Sequence, residues 1–215
     1  MDYADARRRM VDGQIRPNRV TDPRLLAALG RLPRERFLPH PLRARAYLDD
    51  DVRLPRGRAL MEPMVLARLV QLLVPRPGTR ALVVGAGTGY GAAVLAHMGA
   101  AVTAVEDDAD LAAIAREALA ACLPPAAIRL VDALPAPDGE AFDAVLVEGE
   151  VPEVPERLSG MLAQGGRLAA VLGGGRRNGT AVLGQRVGGA FTVTPAFDCA
   201  VAALPAFVPP ARFVF

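Results

Sequence analysis

Apolar positions recur along this chain with two different periods, and the change between them divides it. Up to about residue 75 the spacing is helical. It predicts a first helix over residues 3–15, from Tyr3 to Ile15, that stops before Pro17. Thr21 or Asp22 can cap a second helix with Pro23 at its first position, where a missing N–H costs nothing. Leu25, Leu26 and Leu29 fall on one face of that helix. Arg34 to Leu38 follows, then a polar loop with Asp49, Asp50 and Asp51. Met64, Leu66, Ala67, Val70 and Leu73 predict a helix from Pro63 to Leu73, ended by Pro75 and Pro77.

Beyond Arg80 short apolar runs alternate with helical segments. Strands are predicted at 80–84, 101–105, 128–131, 142–147 and 166–172, and helices at 90–98, 111–122 and 154–162. Two late strands, near 181–187 and 191–197, are joined by Gly188-Gly189, a hairpin signal. The alternation implies an α/β, doubly wound fold: a mostly parallel sheet with helices on both faces and an antiparallel hairpin at its edge. No internal repeat or long linker interrupts it. Residues 1–60 therefore read as a helical extension packed on a single domain spanning 1–215.

Composition narrows the class. The chain has 215 residues, 52% hydrophobic and 22% charged, which suits a folded globular domain. Every basic residue is arginine. Residues 1–60 carry 14 Arg against 8 acids and the remainder carries 11 against 15, so the net charge of +2 hides a basic first segment. Such a segment is a solvated face or a surface that steers an acidic partner. No aromatic pattern of the single-stranded nucleic-acid type accompanies it, and no nucleic-acid partner is expected. Residues 81–105 lack charge altogether, yet five glycines interrupt them, so no membrane span is expected. The N-terminus has no apolar run followed by a cleavage site. Cys122 and Cys199 lie far apart and the only histidines are His40 and His97, which argues against a structural zinc site. Cytoplasmic residence is the expectation.

The chemistry is expected around Leu82-Val83-Val84-Gly85-Ala86-Gly87-Thr88-Gly89-Tyr90-Gly91, a strand running into a glycine-rich loop and a helix. Such a loop lets a ligand approach the backbone closely. A dinucleotide fingerprint would need Gly or Ala at 90; Tyr90 would crowd a pyrophosphate. The shorter motif suits a nucleoside carrying an amino-acid tail. Glu106 stands 21 residues after Gly85 at the end of the next strand, where a carboxylate can accept both ribose hydroxyls, with Asp107 beside it. Asp132, followed by Ala133, ends the strand after that, near where an adenine amino group would lie. Together these favour S-adenosyl-L-methionine over a nicotinamide dinucleotide.

The order of segments adds a resemblance. LPRERFLP, ARAYLDDDVRLP and GRALMEPMVLARLV precede the glycine loop; FDAVLVEGEVPEVPERL and LAQGGRLAAVLG follow it. From about residue 10 to about residue 174 the chain resembles the protein-L-isoaspartate O-methyltransferase family; the last 40 residues match only loosely. The resemblance implies a class I methyltransferase fold of seven strands. It implies S-adenosyl-L-methionine as donor and a protein or peptide bearing an isoaspartyl residue as substrate, whose misplaced carboxylate is methylated. The ester then collapses to a succinimide, and hydrolysis restores some normal aspartate. Carried over by position, Gly85, Ala86, Gly87, Thr88 and Tyr90 resemble the loop around the methionine part of the cofactor, and Glu106 the ribose acid. Asp132 resembles the Asp of the family's GDG, here flanked by Val131 and Ala133.

The chain departs from the family where the acceptor would sit. In ALMEP, Met61 and Glu62 replace a motif that carries a hydroxyl at the position of Met61; a thioether cannot donate to a carboxylate. Glu148-Gly149-Glu150 replaces small uncharged residues at a strand end that puts at least one glutamate near the cofactor, Glu148 being expected at the cofactor and Glu150 at the substrate, and Val83 stands where an acid is frequent. An acceptor carboxylate needs orientation, not a general base, because it is ionised at neutral pH. Extra glutamates repel it unless arginines compensate, and Arg16, Arg53 and Arg58 are the candidates. Without compensation the site favours a neutral or cationic acceptor, with Glu62 or Glu148 as base. Three alternatives therefore stand beside isoaspartyl methylation: another acceptor on the same scaffold, a non-catalytic S-adenosyl-L-methionine-binding protein, and, weakest, an oxidoreductase.

Overall fold

The computed structural model describes residues 2–124, 127–136, 139–173 and 178–208. Asp2 caps α1 (Tyr3–Met10), its carboxylate accepting from the N–H groups of Ala4 and Asp5. The predicted first helix does not continue as an α-helix to Ile15. Residues Val11–Ile15 rewind into a wider π turn around Gly13, a poor α-helix former, which buries Val11 and Ile15 beside Met10. Asp22 caps α2 (Pro23–Arg31), which buries Leu25, Ala28 and Leu29. A 3-10 turn at Arg34–Phe37 and another at His40–Arg45 lead to a short antiparallel ribbon, β1 (Val52–Arg53) with β2 (Ala59–Leu60). The ribbon was not legible in the sequence. Then comes α3 (Pro63–Leu73).

The main sheet contains β3 (Arg80–Val84), β4 (Ala101–Val105), β5 (Ile128–Val131), β6 (Phe142–Val151), β7 (Leu162–Leu172), β8 (Gly179–Val187) and β9 (Ala190–Cys199). Their spatial order is β5-β4-β3-β6-β7-β8-β9. The first five are mutually parallel, and β8 runs antiparallel to both neighbours. The central strand β3 is buried from Ala81 to Val84, as expected of a strand covered on both faces. Between strands lie α4 (Tyr90–His97), α5 (Ala109–Cys122) and α6 (Glu156–Gly160). This is the class I methyltransferase arrangement expected above. One buried cluster joins Met10, Leu25 and Phe37 to Leu66, Val83 and Val171, so the N-terminal segment packs on the sheet.

Because β4 lies on one side of β3 and β6 on the other, the winding direction changes at β3. Ligands of open α/β sheets bind outside the strand ends at such a point. The chain after β9 returns across it. The Glu150 N–H donates to Ala202 O at 2.9 Å, the Leu204 N–H to Glu150 O at 2.8 Å, and the Ala202 N–H to Asp51 Oδ2 at 2.9 Å. These bonds hold residues 200–204 beside β6, and a 3-10 turn at Pro205–Phe207 follows.

Candidate functional site

The loop after β3 turns through left-handed backbone at Gly85 (φ 69°), Gly87 (φ 56°) and Gly89 (φ 90°), which a residue with a Cβ rarely adopts. The Ala86 N–H ties the loop to β4 by donating to Val105 O at 2.9 Å. Glu106 leaves the end of β4 and is 2% exposed. Its Oε2 accepts from the Gly87 N–H at 2.6 Å and its Oε1 from the Asp108 N–H at 3.0 Å. Arg58 completes the set: Nη1 meets Oε1 at 2.8 Å and Nη2 meets Oε2 at 2.9 Å, while Nη2 also donates to Gly85 O at 2.8 Å. The Glu106 carboxylate is therefore oriented to receive two donors side by side.

Asp107, Asp132 and Ala133 border a neighbouring cavity of about 170 Å³ whose walls include Val84, Leu134 and Phe207. Leu204 closes it toward the glycine loop. A Cβ built on Gly85 would lie 2.6 Å from Leu204 Cδ1. The residues fit an adenosyl cofactor. The mostly apolar cavity suits a base, Asp132 is exposed at its rim, and the paired acceptors of Glu106 match a ribose diol.

The ALMEP segment sits on the other side of the strand ends. Met61 is buried, and its carbonyl accepts from Arg34 Nη2 at 2.5 Å. Arg34 is wholly buried. Its Nε donates to Ala46 O at 2.7 Å, and its guanidinium lies over the Tyr90 ring, 4.8 Å from the centroid. The N–H of half-buried Glu62 donates to Asp51 Oδ1 at 2.7 Å. Burial, with Asp49, Asp51 and Asp50 nearby, pushes the Glu62 carboxyl up to about 7. Burial also raises Asp51, opposed by the N–H groups of Glu62 and Ala202 that donate to it. At the end of β6, burial pushes Glu148 up to about 8, against the pull of Arg58 and Arg34. Met61 and Glu148 line one small cavity with Arg58, Asp51 and Gly149. Asp51, Arg58, Ala59 and Ala202 also border an open cleft of about 630 Å³. The small cavity, of about 10 Å³, shares Val201 with the cleft as well and so adjoins it.

The structure thus brings Met61, Arg58 and Glu148 together, and Gly85, Asp107, Asp132 and Ala133 together. It spends Arg58, an expected acceptor-side arginine, on Glu106. Arg16 is exposed and paired with Asp12 at 3.2 Å. The Glu150 carboxyl lies against Gly173 and Gly179, on the side of β7 and β8. Thr88 and Tyr90 turn into the interior; the Tyr90 ring packs edge-on against Phe37 at 5.3 Å, and its hydroxyl, buried, rises to about 12. Tyr90 thus packs beneath the loop. Sequence reasoning missed Arg34, Asp51 and Leu204. Arg34 lies within the quoted PRERF stretch, but its link to Met61 is tertiary.

Residues 6–200 match the model of the family described as protein-L-isoaspartate(D-aspartate) O-methyltransferase. A protein-L-isoaspartate O-methyltransferase of Methylorubrum populi is 43% identical over 169 residues, 78% of this chain and 80% of that protein. One from Methanoregula boonei is 37% identical over 174 residues, 80% of each. The fold also matches the crystal structure of a Plasmodium falciparum chain assigned as a protein-L-isoaspartate O-methyltransferase, in complex with S-adenosyl-L-homocysteine. The TM-score is 0.76 at 19% identity, covering 95% of this chain and 98% of that one. A second protein-L-isoaspartate O-methyltransferase structure gives 0.78 at 23% identity, covering 92% and 65%.

Proposed function

The chain belongs to the protein-L-isoaspartate(D-aspartate) O-methyltransferase family, and from that premise we propose that it methylates the carboxylate of isoaspartyl residues in damaged proteins, with S-adenosyl-L-methionine as donor. The geometry that carries this reading is the Glu106 carboxylate facing the Gly85–Gly89 loop with two acceptors side by side, next to a cavity of adenine size. Gly85, Gly87, Glu106, Asp107 and Asp132 would hold the cofactor, which supplies a methyl group on a sulfonium. The acceptor carboxylate is ionised at neutral pH, so the protein's task is orientation and exclusion of water. The 630 Å³ cleft carries Arg45 and Arg53 as well as Asp50 and Asp51 on its walls and would take the peptide segment, with Met61 and Glu148 lining the small cavity that adjoins it. Among the described residues no helix is long and apolar enough to cross a membrane.

The test is transfer of labelled methyl from S-adenosyl-L-methionine to an isoaspartyl peptide, with the matched aspartyl peptide as control and S-adenosyl-L-homocysteine binding measured by calorimetry on the same sample. Selective labelling is expected. A second reading, another acceptor on the same scaffold, draws on Met61, which offers no hydroxyl. Cofactor binding with no label on either peptide would favour it.

A further inference from the structure

Four buried side-chain atoms around the glycine loop and the ALMEP segment have no hydrogen-bond partner among the described residues: Arg34 Nη1, Thr88 Oγ1, Tyr90 Oη and Glu148 Oε1; of these Glu148 carries the carboxyl, and it is the residue that borders the Met61 cavity. Its carboxyl is tucked against the first turn of α4. A Cβ on Gly91 would stand 2.2 Å from Oε1, so the carboxyl occupies the space that a side chain at 91 would take. Oε1 is sealed from solvent and has no hydrogen-bond partner, while the residue borders the cavity shared with Met61. The charged and titratable groups facing it come from every neighbouring element. They are Arg34 of the 3-10 turn, Arg58 before β2, Glu106 after β4, Tyr90 of α4, and Asp51 across the cavity. Neither arginine is free for it. Arg58 is bound by Glu106, and Arg34 Nε and Nη2 are held by carbonyls; Arg34 Nη1 is buried without a hydrogen-bond partner and does not pair with Glu148. A carboxyl with one oxygen sealed from water and no ion-pair partner favours its protonated form, and that makes it a donor as well as an acceptor.

We propose that Glu148 is a substrate-binding residue whose neutral carboxyl group donates a hydrogen bond to the acceptor carboxylate where the small cavity adjoins the cleft. The inference rests on the isoaspartyl reading above, since it needs an anionic acceptor. It resolves the conflict in the sequence. An added glutamate at the strand end does not repel the substrate while protonated, and it supplies the donor that Met61 lacks. Ionisation converts the same group into a repelling charge, so substrate binding carries its own alkaline limit.

The experiment measures affinity of the S-adenosyl-L-homocysteine-loaded protein for an isoaspartyl peptide between pH 6 and 9.5. It compares the wild type with Glu148→Gln and Glu148→Ala, and methyl-transfer KM is recorded alongside. Thermal melts confirm that each variant is folded. Wild-type affinity should fall up to tenfold per pH unit above about pH 8. Glu148→Gln, which keeps a donor and cannot titrate, should bind with wild-type strength at pH 7 and lose the alkaline fall. Glu148→Ala should bind about tenfold or more weakly throughout the range. An unchanged alkaline fall in Glu148→Gln, or wild-type affinity and KM in Glu148→Ala, overturns the inference and leaves isoaspartyl methylation standing. Failure of the wild type to bind or methylate the peptide at any pH overturns both.

Discussion

Gly91 and Glu148 act as one unit. Gly91 has ordinary helical backbone, so its lack of a Cβ matters for space alone, and the space is taken by the Glu148 carboxyl. Gly91→Ala is normally favourable in a helix by roughly 0.5–1 kcal/mol. Here that gain should be lost, because the Glu148 carboxyl must first move aside, at a cost of about 1 kcal/mol. In the background Glu148→Ala the same change should become neutral or stabilising. A double-mutant cycle in urea measures the coupling; additive effects would mean that Glu148 swings away at no cost. The same carboxyl also shapes stability against pH. With folded-state values raised to about 8 at Glu148 and about 7 at Glu62, from an ordinary 4.5, the native protein keeps protons that the unfolded chain has released. Stability is therefore greatest toward the acid end of that window and declines as pH rises to about 8, by up to about 1.4 kcal/mol per unit and group. Melting temperatures from pH 5.5 to 8.5 should fall in the wild type and fall less in Glu148→Gln.

At the scale of elements, Arg34 fastens three segments that share no sequence proximity. Its 3-10 turn, the Ala46 carbonyl and the ALMEP segment meet on one guanidinium, which also covers Tyr90 beneath the glycine loop. Arg34→Met should cost about 2–4 kcal/mol by leaving two buried carbonyls without donors. Arg34→Lys should recover only part of it, because an ammonium cannot reproduce the planar fork; chemical denaturation ranks the two. Links of this kind mark the limit of sequence reading. The strands Arg80–Val84, Ala101–Val105 and Ile128–Val131 and the helix Pro63–Leu73 were legible to the residue, because each is a short apolar run or a helical stripe between strong breakers. β6 runs four residues past the predicted Val147, because hydrogen bonds to β7 resume beyond an irregularity that spans Gly149. The two-residue strands of the β1–β2 ribbon are too short for any period to show. The path of 200–208 has no periodicity of its own and is set by Asp51 and Glu150, far away in sequence. In the site, the glycine loop and Glu106 were legible because backbone freedom and strand-end position are local properties. Arg58 on Glu106 and Arg34 on Met61 were not, because pairing is decided by the tertiary fold.

At the scale of the whole molecule, segments far apart in the sequence converge on the proposed cofactor cleft. Arg58, from the N-terminal third, holds both oxygens of Glu106, and Leu204, from the returning C-terminal segment, lies on Gly85. A guanidinium presents two parallel N–H donors, the pattern a ribose diol would present, so arginine and nucleoside compete for the same two oxygens. With Glu106 as the proposed ribose acceptor, cofactor binding displaces Arg58 from it, and whatever stabilises the closed pair is subtracted from the measured affinity. Arg58→Gln should therefore destabilise the ligand-free protein, by about 3 kcal/mol if the pair is as buried as its 7% and 0% side-chain exposures indicate. Its affinity for S-adenosyl-L-homocysteine should rise by about tenfold, equivalent to roughly 1.4 kcal/mol. Leu204→Ala should act in the same direction and more weakly, by uncovering the loop without touching Glu106. Calorimetry gives the affinities, and the melting-temperature gain on adding ligand should be larger in Arg58→Gln than in the wild type. A loss of affinity in Arg58→Gln would mean that the arginine stays in the occupied site as a ligand to the cofactor's own carboxylate. The two outcomes differ in sign, so one titration separates a residue that closes the cleft from one that completes it.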